Sequence, residues 1–151
     1  MSETLDIAPE RKAELRTVNV DLGERSYGIE IGRGLIEQAG EKIAELLPGS
    51  RLAIVTDETV AGLHLDTLKK SLSAAGLDHV VLTVPAGEAT KCFAMYERLC
   101  DEVLAARLER SDAVVALGGG VVGDLAGFVA ASVRRGMKFI QIPTTLLAQV
   151  D

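Results

Sequence analysis

Gly118, Gly119, Gly120, Val121, Val122, Gly123 and Asp124 form the segment of this chain best suited to hold a ligand. Gly118, Gly120 and Gly123 keep the G-x-G-x-x-G spacing that binds a dinucleotide when it follows a strand and opens a helix. Glycines let the main chain approach a pyrophosphate closely, and the free N–H groups of a helix start favour anions. The plainer reading is a tight strand-to-helix turn whose glycines only supply positive φ angles. Three consecutive glycines exceed that need, so the chemistry expected here is phosphate binding.

The surrounding residues depart from the usual dinucleotide site. There an acidic residue lies about 20 positions on, at the end of the following strand, and holds a ribose. Here that strand ends in Pro143-Thr144-Thr145, which offers hydroxyls instead. The ribose carboxylate is then expected to be Asp57, at the end of an earlier strand. Asp124 is expected in the first helical turn, where it would complement the helix dipole or bond a sugar or nicotinamide group. Glu88 and Lys91 flank a loop-to-helix junction, and Thr90 between them reads as a helix cap. A cation such as Lys91 is unfavourable at a helix start and suits a bound anion or sugar better. Arg134-Arg135-Gly136 reads either as a basic helix C-terminus or as a ligand group.

Metal and thiol chemistry find little support. His64 and His79 are the only histidines and lack the spacing of a metal site. Cys92 and Cys100 are eight positions apart in one apparent helix, about 12 Å at ~1.5 Å rise per residue, which excludes a disulfide. Both are expected to be ordinary buried thiols.

The elements that must position these groups follow a regular alternation. Val18 to Leu22 and Tyr27 to Ile31 read as a hairpin around Gly23 to Ser26. Leu35 to Leu47 has helical spacing and stops at Pro48-Gly49. Short apolar strands are then expected at Leu52 to Thr56, Val80 to Val84, Ala113 to Leu117 and Lys138 to Ile142. Helices are expected between them at Val60 to Ala75, broken near His64, at Lys91 to Ala106 with Tyr96, Leu99, Cys100, Val103 and Leu104 on one face, and at Val122 to Val133. Apolar strands separated by helices indicate an α/β, Rossmann-like doubly wound sheet, mostly parallel, with an N-terminal β-hairpin. Residues 1–16 read as a flexible arm and 17–151 as the nucleotide-binding domain.

Composition narrows the partners. A chain of 151 residues with 48% hydrophobic and 25% charged residues fits one globular domain. A formal charge of −6 argues against a nucleic-acid partner. No apolar run approaches the ~20 residues of a membrane span, and residues 1–16 are too charged for a secretory signal. A cytoplasmic location is expected.

Taken together, Pro85-Ala86-Gly87-Glu88-Ala89-Thr90-Lys91, the segment from Gly118 to Phe128, Arg135-Gly136 and the segment from Gln141 to Asp151 resemble 3-dehydroquinate synthase and its sugar-phosphate cyclase group from about Thr17 onward. The resemblance implies conversion of 3-deoxy-D-arabino-heptulosonate 7-phosphate to 3-dehydroquinate and phosphate, with bound NAD and Zn²⁺ or a similar divalent metal. It implies that Asp57, Glu88, Lys91, Gly119, Gly120, Val121, Asp124, Thr144 and Thr145 hold NAD, with Glu58 and Thr59 less firmly placed. Arg135 matches a substrate-binding arginine that reaches the neighbouring subunit of a homodimer, and Asp151 matches a substrate-site aspartate. Ala86 stands where the family usually has an acidic residue or glycine. The metal ligands belong to a helical C-terminal domain that this chain lacks, so the chain is expected to be inert alone and prone to self-association. The same half of a related cyclase or metal-dependent polyol dehydrogenase, or a free-standing nucleotide-binding module, stays open.

Overall fold

The computed structural model describes residues 14–150, so the greater part of the expected arm, and Asp151, lie outside the described residues. The chain divides into two compact units, one up to Leu35 and one from Ile36 onward. In the first, β1 (Arg16–Val20) pairs antiparallel with β2 (Tyr27–Ile31), placing Val18 opposite Ile29 and Val20 opposite Tyr27. A single 3₁₀ turn at Gly23–Arg25 closes the hairpin, and Ser26 Oγ holds it by donating to the Gly23 carbonyl at 2.7 Å.

The second unit is a four-stranded parallel sheet in the order β4-β3-β5-β6. Its strands are β3 (Leu52–Asp57), β4 (His79–Val84), β5 (Ala113–Gly118) and β6 (Lys138–Pro143). The chain runs from β3 outward to β4, then returns to the other side of β3 for β5, so the winding reverses between β3 and β5. Alternate residues of these two central strands serve opposite cores. Ala53, Val55, Val114 and Ala116 face a cluster completed by α4 (Phe93–Ala105) and α5 (Gly120–Ser132). Leu52, Ile54, Ala113, Val115 and Leu117 face the cluster completed by α1 (Leu35–Leu46) and α3 (Asp66–Ala74). Helices therefore cover both faces, as the continuous apolar strands required, and the expected Rossmann-like doubly wound class holds.

Close main-chain contacts set the helices on the sheet. In α1, a Cβ at Gly40 would lie 2.0 Å from the Ser71 carbonyl oxygen, so glycine alone lets α1 meet α3 there. Ser71 Oγ ties the crossing by accepting from the Gly40 N–H and donating to the Glu37 carbonyl, both at 2.8 Å. On α5, Gly119, Gly123 and Gly127 recur every fourth residue and share one side of the helix. Added Cβ atoms would lie 3.1 Å from Thr145 Cγ2, 3.2 Å from Gln141 Nε2 and 3.4 Å from the Phe139 ring. This seam lets the helix lie low over β6.

Some local expectations change. The break expected near His64 is a π turn, Ala61–Leu65, between the short α2 (Glu58–Val60) and α3. Cys92 is exposed and Cys100 half-buried, so neither is the buried thiol expected. Cys92 precedes α4 instead of lying within it, and its neighbours Lys91 and Phe93 are also exposed. Leu104 is 43% exposed, because five residues at about 100° each turn it well away from buried Leu99. Asp112, only 6% exposed, is satisfied by accepting from the N–H groups of Arg51 and Glu109, both at 2.8 Å.

Candidate functional site

Strand register places the candidate residues in one row. Asp57 pairs with Val84 at the end of β3 and β4, and Gly118 pairs with Pro143 at the end of β5 and β6. Thr56 pairs with Leu117, so Asp57 and Gly118 end adjacent strands side by side. The Pro85 loop, Asp57, the glycine turn and the Thr144-Thr145 segment thus all leave the carboxyl edge of the sheet, where ligands of open α/β sheets bind.

The glycine turn answers the choice between strain relief and ligand binding. None of Gly118, Gly119, Gly120 and Gly123 has a positive φ. Their absent side chains therefore concern space, and each position differs. A Cβ at Gly118 would come within 2.8 Å of the Val122 side chain, and one at Gly119 would crowd Thr145. Gly120 has nothing within 4 Å of an added Cβ and no special dihedral, so nothing in the chain's own packing demands glycine there. It is also the first residue of α5, whose capping residue Gly119 supplies no side-chain hydrogen bond. The first intrahelical bond runs from the Gly123 N–H to the Gly119 carbonyl at 3.0 Å. The N–H groups of Gly120, Val121 and Val122 therefore have no partner within the helix. An open glycine beneath free N–H groups is what close approach of an anion needs.

The Pro-Thr-Thr segment lies against this turn. Thr144 N–H donates to the Gly118 carbonyl at 3.0 Å, while Thr144 Oγ1 is buried without a hydrogen-bond partner, alone in this among the described residues. Such a hydroxyl costs about 1–3 kcal/mol if nothing bonds it, and a bound ligand would satisfy it. Thr145 has an internal role, since its Oγ1 accepts from the Ala148 N–H at 3.2 Å and starts α6 (Leu146–Val150). A cleft runs between the two segments, lined by Gly118, Gly120, Asp124, Gln141 and Pro143 among others. Gln141 was not among the expected site residues. Its signal was a polar side chain within an apolar strand.

Across the sheet edge, Lys91 joins its own loop to α5. Its Nζ lies 2.9 Å from Glu88 Oε1 and donates to Asp124 Oδ2 at 3.1 Å. The hydrogen bond to Glu88, and then that to Asp124, hold the ammonium above its ordinary pKa. Two expectations are corrected here. α4 begins at Phe93, so Lys91 does not sit on the helix start, and its cation is balanced by two carboxylates. Asp124 is the fifth residue of α5 and not in its first turn, so Lys91 offsets its charge near the unpartnered N–H groups of the helix start. Asp57 ends β3, where its Oδ1 caps α2 by accepting from the Val60 N–H at 2.9 Å. That contact places Glu58 and Thr59 in the same helical turn.

Arg135 does not extend a helix. α5 stops at Ser132, and Arg134 and Arg135 follow with φ of +55° and +65°. Two successive side chains in the left-handed region are uncommon and cost of order 1–3 kcal/mol each. Arg134 Nε anchors the turn on the Leu108 carbonyl at 3.0 Å, leaving Arg135 exposed.

With this geometry in view, likeness to known proteins becomes specific. Residues 81–151 match the model of the 3-dehydroquinate synthase N-terminal family. Over 135 residues the chain is 61% identical to the 3-dehydroquinate synthase of Mesorhizobium japonicum, covering 89% of this chain. The chain is thus similar to 3-dehydroquinate synthases over most of its own length. It spans 36% of the length of that relative.

Solved structures agree on architecture. A 2-deoxy-scyllo-inosose synthase complexed with carbaglucose-6-phosphate, NAD⁺ and Co²⁺ superposes with a TM-score of 0.79 at 24% identity, over 88% of this chain and 36% of that one. That likeness speaks for the fold alone. ValA, a 2-epi-5-epi-valiolone synthase from Streptomyces hygroscopicus subsp. jinggangensis 5008 with NAD⁺ and Zn²⁺ bound, gives 0.70 at 30% identity, over 84% of this chain and 35% of that one. No helix among the described residues is long and apolar enough to cross a membrane, and they contain no cluster of three or more His, Cys, Asp or Glu arranged for a metal.

Proposed function

We propose that this chain is the NAD-binding part of a 3-dehydroquinate synthase, an NAD- and metal-dependent carbon–oxygen lyase. The observation that carries the reading is Gly120, an open and unstrained glycine at the start of α5, beside a segment that buries an unpartnered hydroxyl at Thr144. Relatives named 3-dehydroquinate synthase, and the 30%-identical valiolone synthase with NAD⁺ and Zn²⁺ bound, support the same assignment.

In this reading the N–H groups of Gly120 and Val121 bond the pyrophosphate, and Gly119 leaves the turn slim enough for it. Thr144 Oγ1 donates to the ligand, as Thr145 does while it caps α6. Glu88, Lys91 and Asp124 form a charged rim that receives ribose hydroxyls, and Asp57 faces the other ribose across the β3–β5 junction. NAD would supply transient removal and return of a hydride at one substrate carbon. Arg135 presents its guanidinium to a sugar phosphate, within a homodimer. Asp151 would also contact substrate. The metal would be held by residues beyond those of this chain.

A chimera tests the whole assignment. Joining this chain to the remaining C-terminal portion of the Mesorhizobium japonicum enzyme should give NAD-dependent phosphate release from 3-deoxy-D-arabino-heptulosonate 7-phosphate. The same chimera with Lys91→Ala should lose most of that rate. A well-folded chimera that loads NAD and metal but releases no phosphate would contradict the assignment.

A further inference from the structure

Thr90 stands apart from the loop that contains it. Pro85, Ala86, Gly87, Glu88, Ala89 and Lys91 are all exposed, whereas Thr90 is 5% exposed. Its hydroxyl does not cap α4, as its position in the sequence suggested. α4 starts after Cys92, and no side chain caps it. Thr90 Oγ1 instead donates to the Pro85 carbonyl at 2.6 Å, just beyond the last β3–β4 pair at Val84. Gly87 turns the loop with φ +106° and ψ 163°, a region essentially closed to other residues. Thr90 N–H then donates to the Gly87 carbonyl at 3.1 Å, and Lys91 N–H to the Glu88 carbonyl at 3.0 Å. The loop is thus closed on itself by one buried hydroxyl, and Lys91 projects from the closed loop to Asp124, 33 residues away.

We propose that Thr90 is a positioning residue of the nucleotide site: by tying the loop shut at Pro85, its hydroxyl sets where Glu88 and Lys91 present their charges beside Asp124. The inference rests on the reading of this edge as an NAD site. Valine at position 90 keeps the shape of threonine but leaves the Pro85 carbonyl without its donor. The loop then opens at the cost of the Lys91 contacts, with the core of the sheet untouched.

NAD calorimetry on the 151-residue chain, with Thr90→Val, Thr90→Ser, Lys91→Ala and the Val/Ala double variant, tests this. Thr90→Val should weaken NAD binding about tenfold, the scale of one buried hydrogen bond. Thr90→Ser should restore it. In the Lys91→Ala background Thr90→Val should matter less than about twofold, because the group it positions is already gone. An NMR titration gives a readout that needs no nucleotide, and the Lys91 ammonium should titrate at lower pH in Thr90→Val than in the unmodified chain. Additive losses, an unaltered affinity in Thr90→Val, or an unaltered Lys91 titration would overturn the positioning role. If Lys91→Ala binds NAD as tightly as the unmodified chain, the positioning role fails while the nucleotide reading stands; if the unmodified chain gives no heat, the nucleotide reading itself fails and this role with it. Should the valine variant not fold, Thr90→Ala carries the same comparison.

Discussion

Lys91 concentrates the electrostatics of the strand-end loops, with one carboxylate on its own loop and one on α5. Its pKa is raised above 10.5, first by the hydrogen bond to Glu88 and then by that to Asp124. A cation whose folded pKa exceeds its unfolded value adds stability that is complete below the unfolded value. That stability disappears as pH rises through the folded one. The stability difference between the chain and Lys91→Met, from urea denaturation, should therefore be flat from about pH 7 to about pH 9 and shrink above about pH 10.5. A difference that persists unchanged at higher pH would show that the contacts do not hold the proton. Glu88, Lys91 and Asp124 were each legible from residue type and loop position. Their mutual contact was not, because it joins a loop to a helix that only the parallel sheet brings together. Thr90 was misjudged for a related reason: local sequence supplies cap chemistry, while burial decides which acceptor the hydroxyl meets.

At the scale of elements, spacing told most of the story, because strands buried on both faces leave unbroken apolar runs and helices leave a regular stripe. Boundaries moved by a residue or two, and α5 began at Gly120, two residues before the apolar stripe that suggested Val122. The role of the glycines was harder to read, since sequence does not distinguish a glycine needed for its φ from one needed for its missing Cβ. Gly40 is of the second kind, pressed against the Ser71 carbonyl, and Gly62 in the π turn has open space around it. Gly40→Ala must push α1 off α3 and should lower stability by about 2 kcal/mol or more in urea denaturation. Gly62→Ala should leave stability unchanged or raise it by up to about 1 kcal/mol. Equal effects of the two substitutions would contradict the proposed helix crossing.

For the molecule as a whole, the four-stranded parallel sheet brings the glycine turn, Asp57, the Pro85 loop and the Thr144-Thr145 segment to one carboxyl edge. The resemblance to 3-dehydroquinate synthase was legible from the glycine turn, the Glu88–Lys91 loop and the Pro-Thr-Thr segment together, and no one of them would have been enough. Catalytic chemistry was not legible in the fold, because the chain spans little more than a third of its relative and the described residues offer no metal cluster. The proposed function turns on a pyrophosphate seat at Gly120, where the chain's own packing has no need of glycine. Titrating NAD, up to millimolar concentrations, into the unmodified chain and into Gly120→Ala is the most direct test of that claim. The account predicts saturable heat for the unmodified chain and affinity weakened about tenfold or more in Gly120→Ala, whose melting temperature should not fall. No heat from the unmodified chain, or equal affinity in the two, would contradict it.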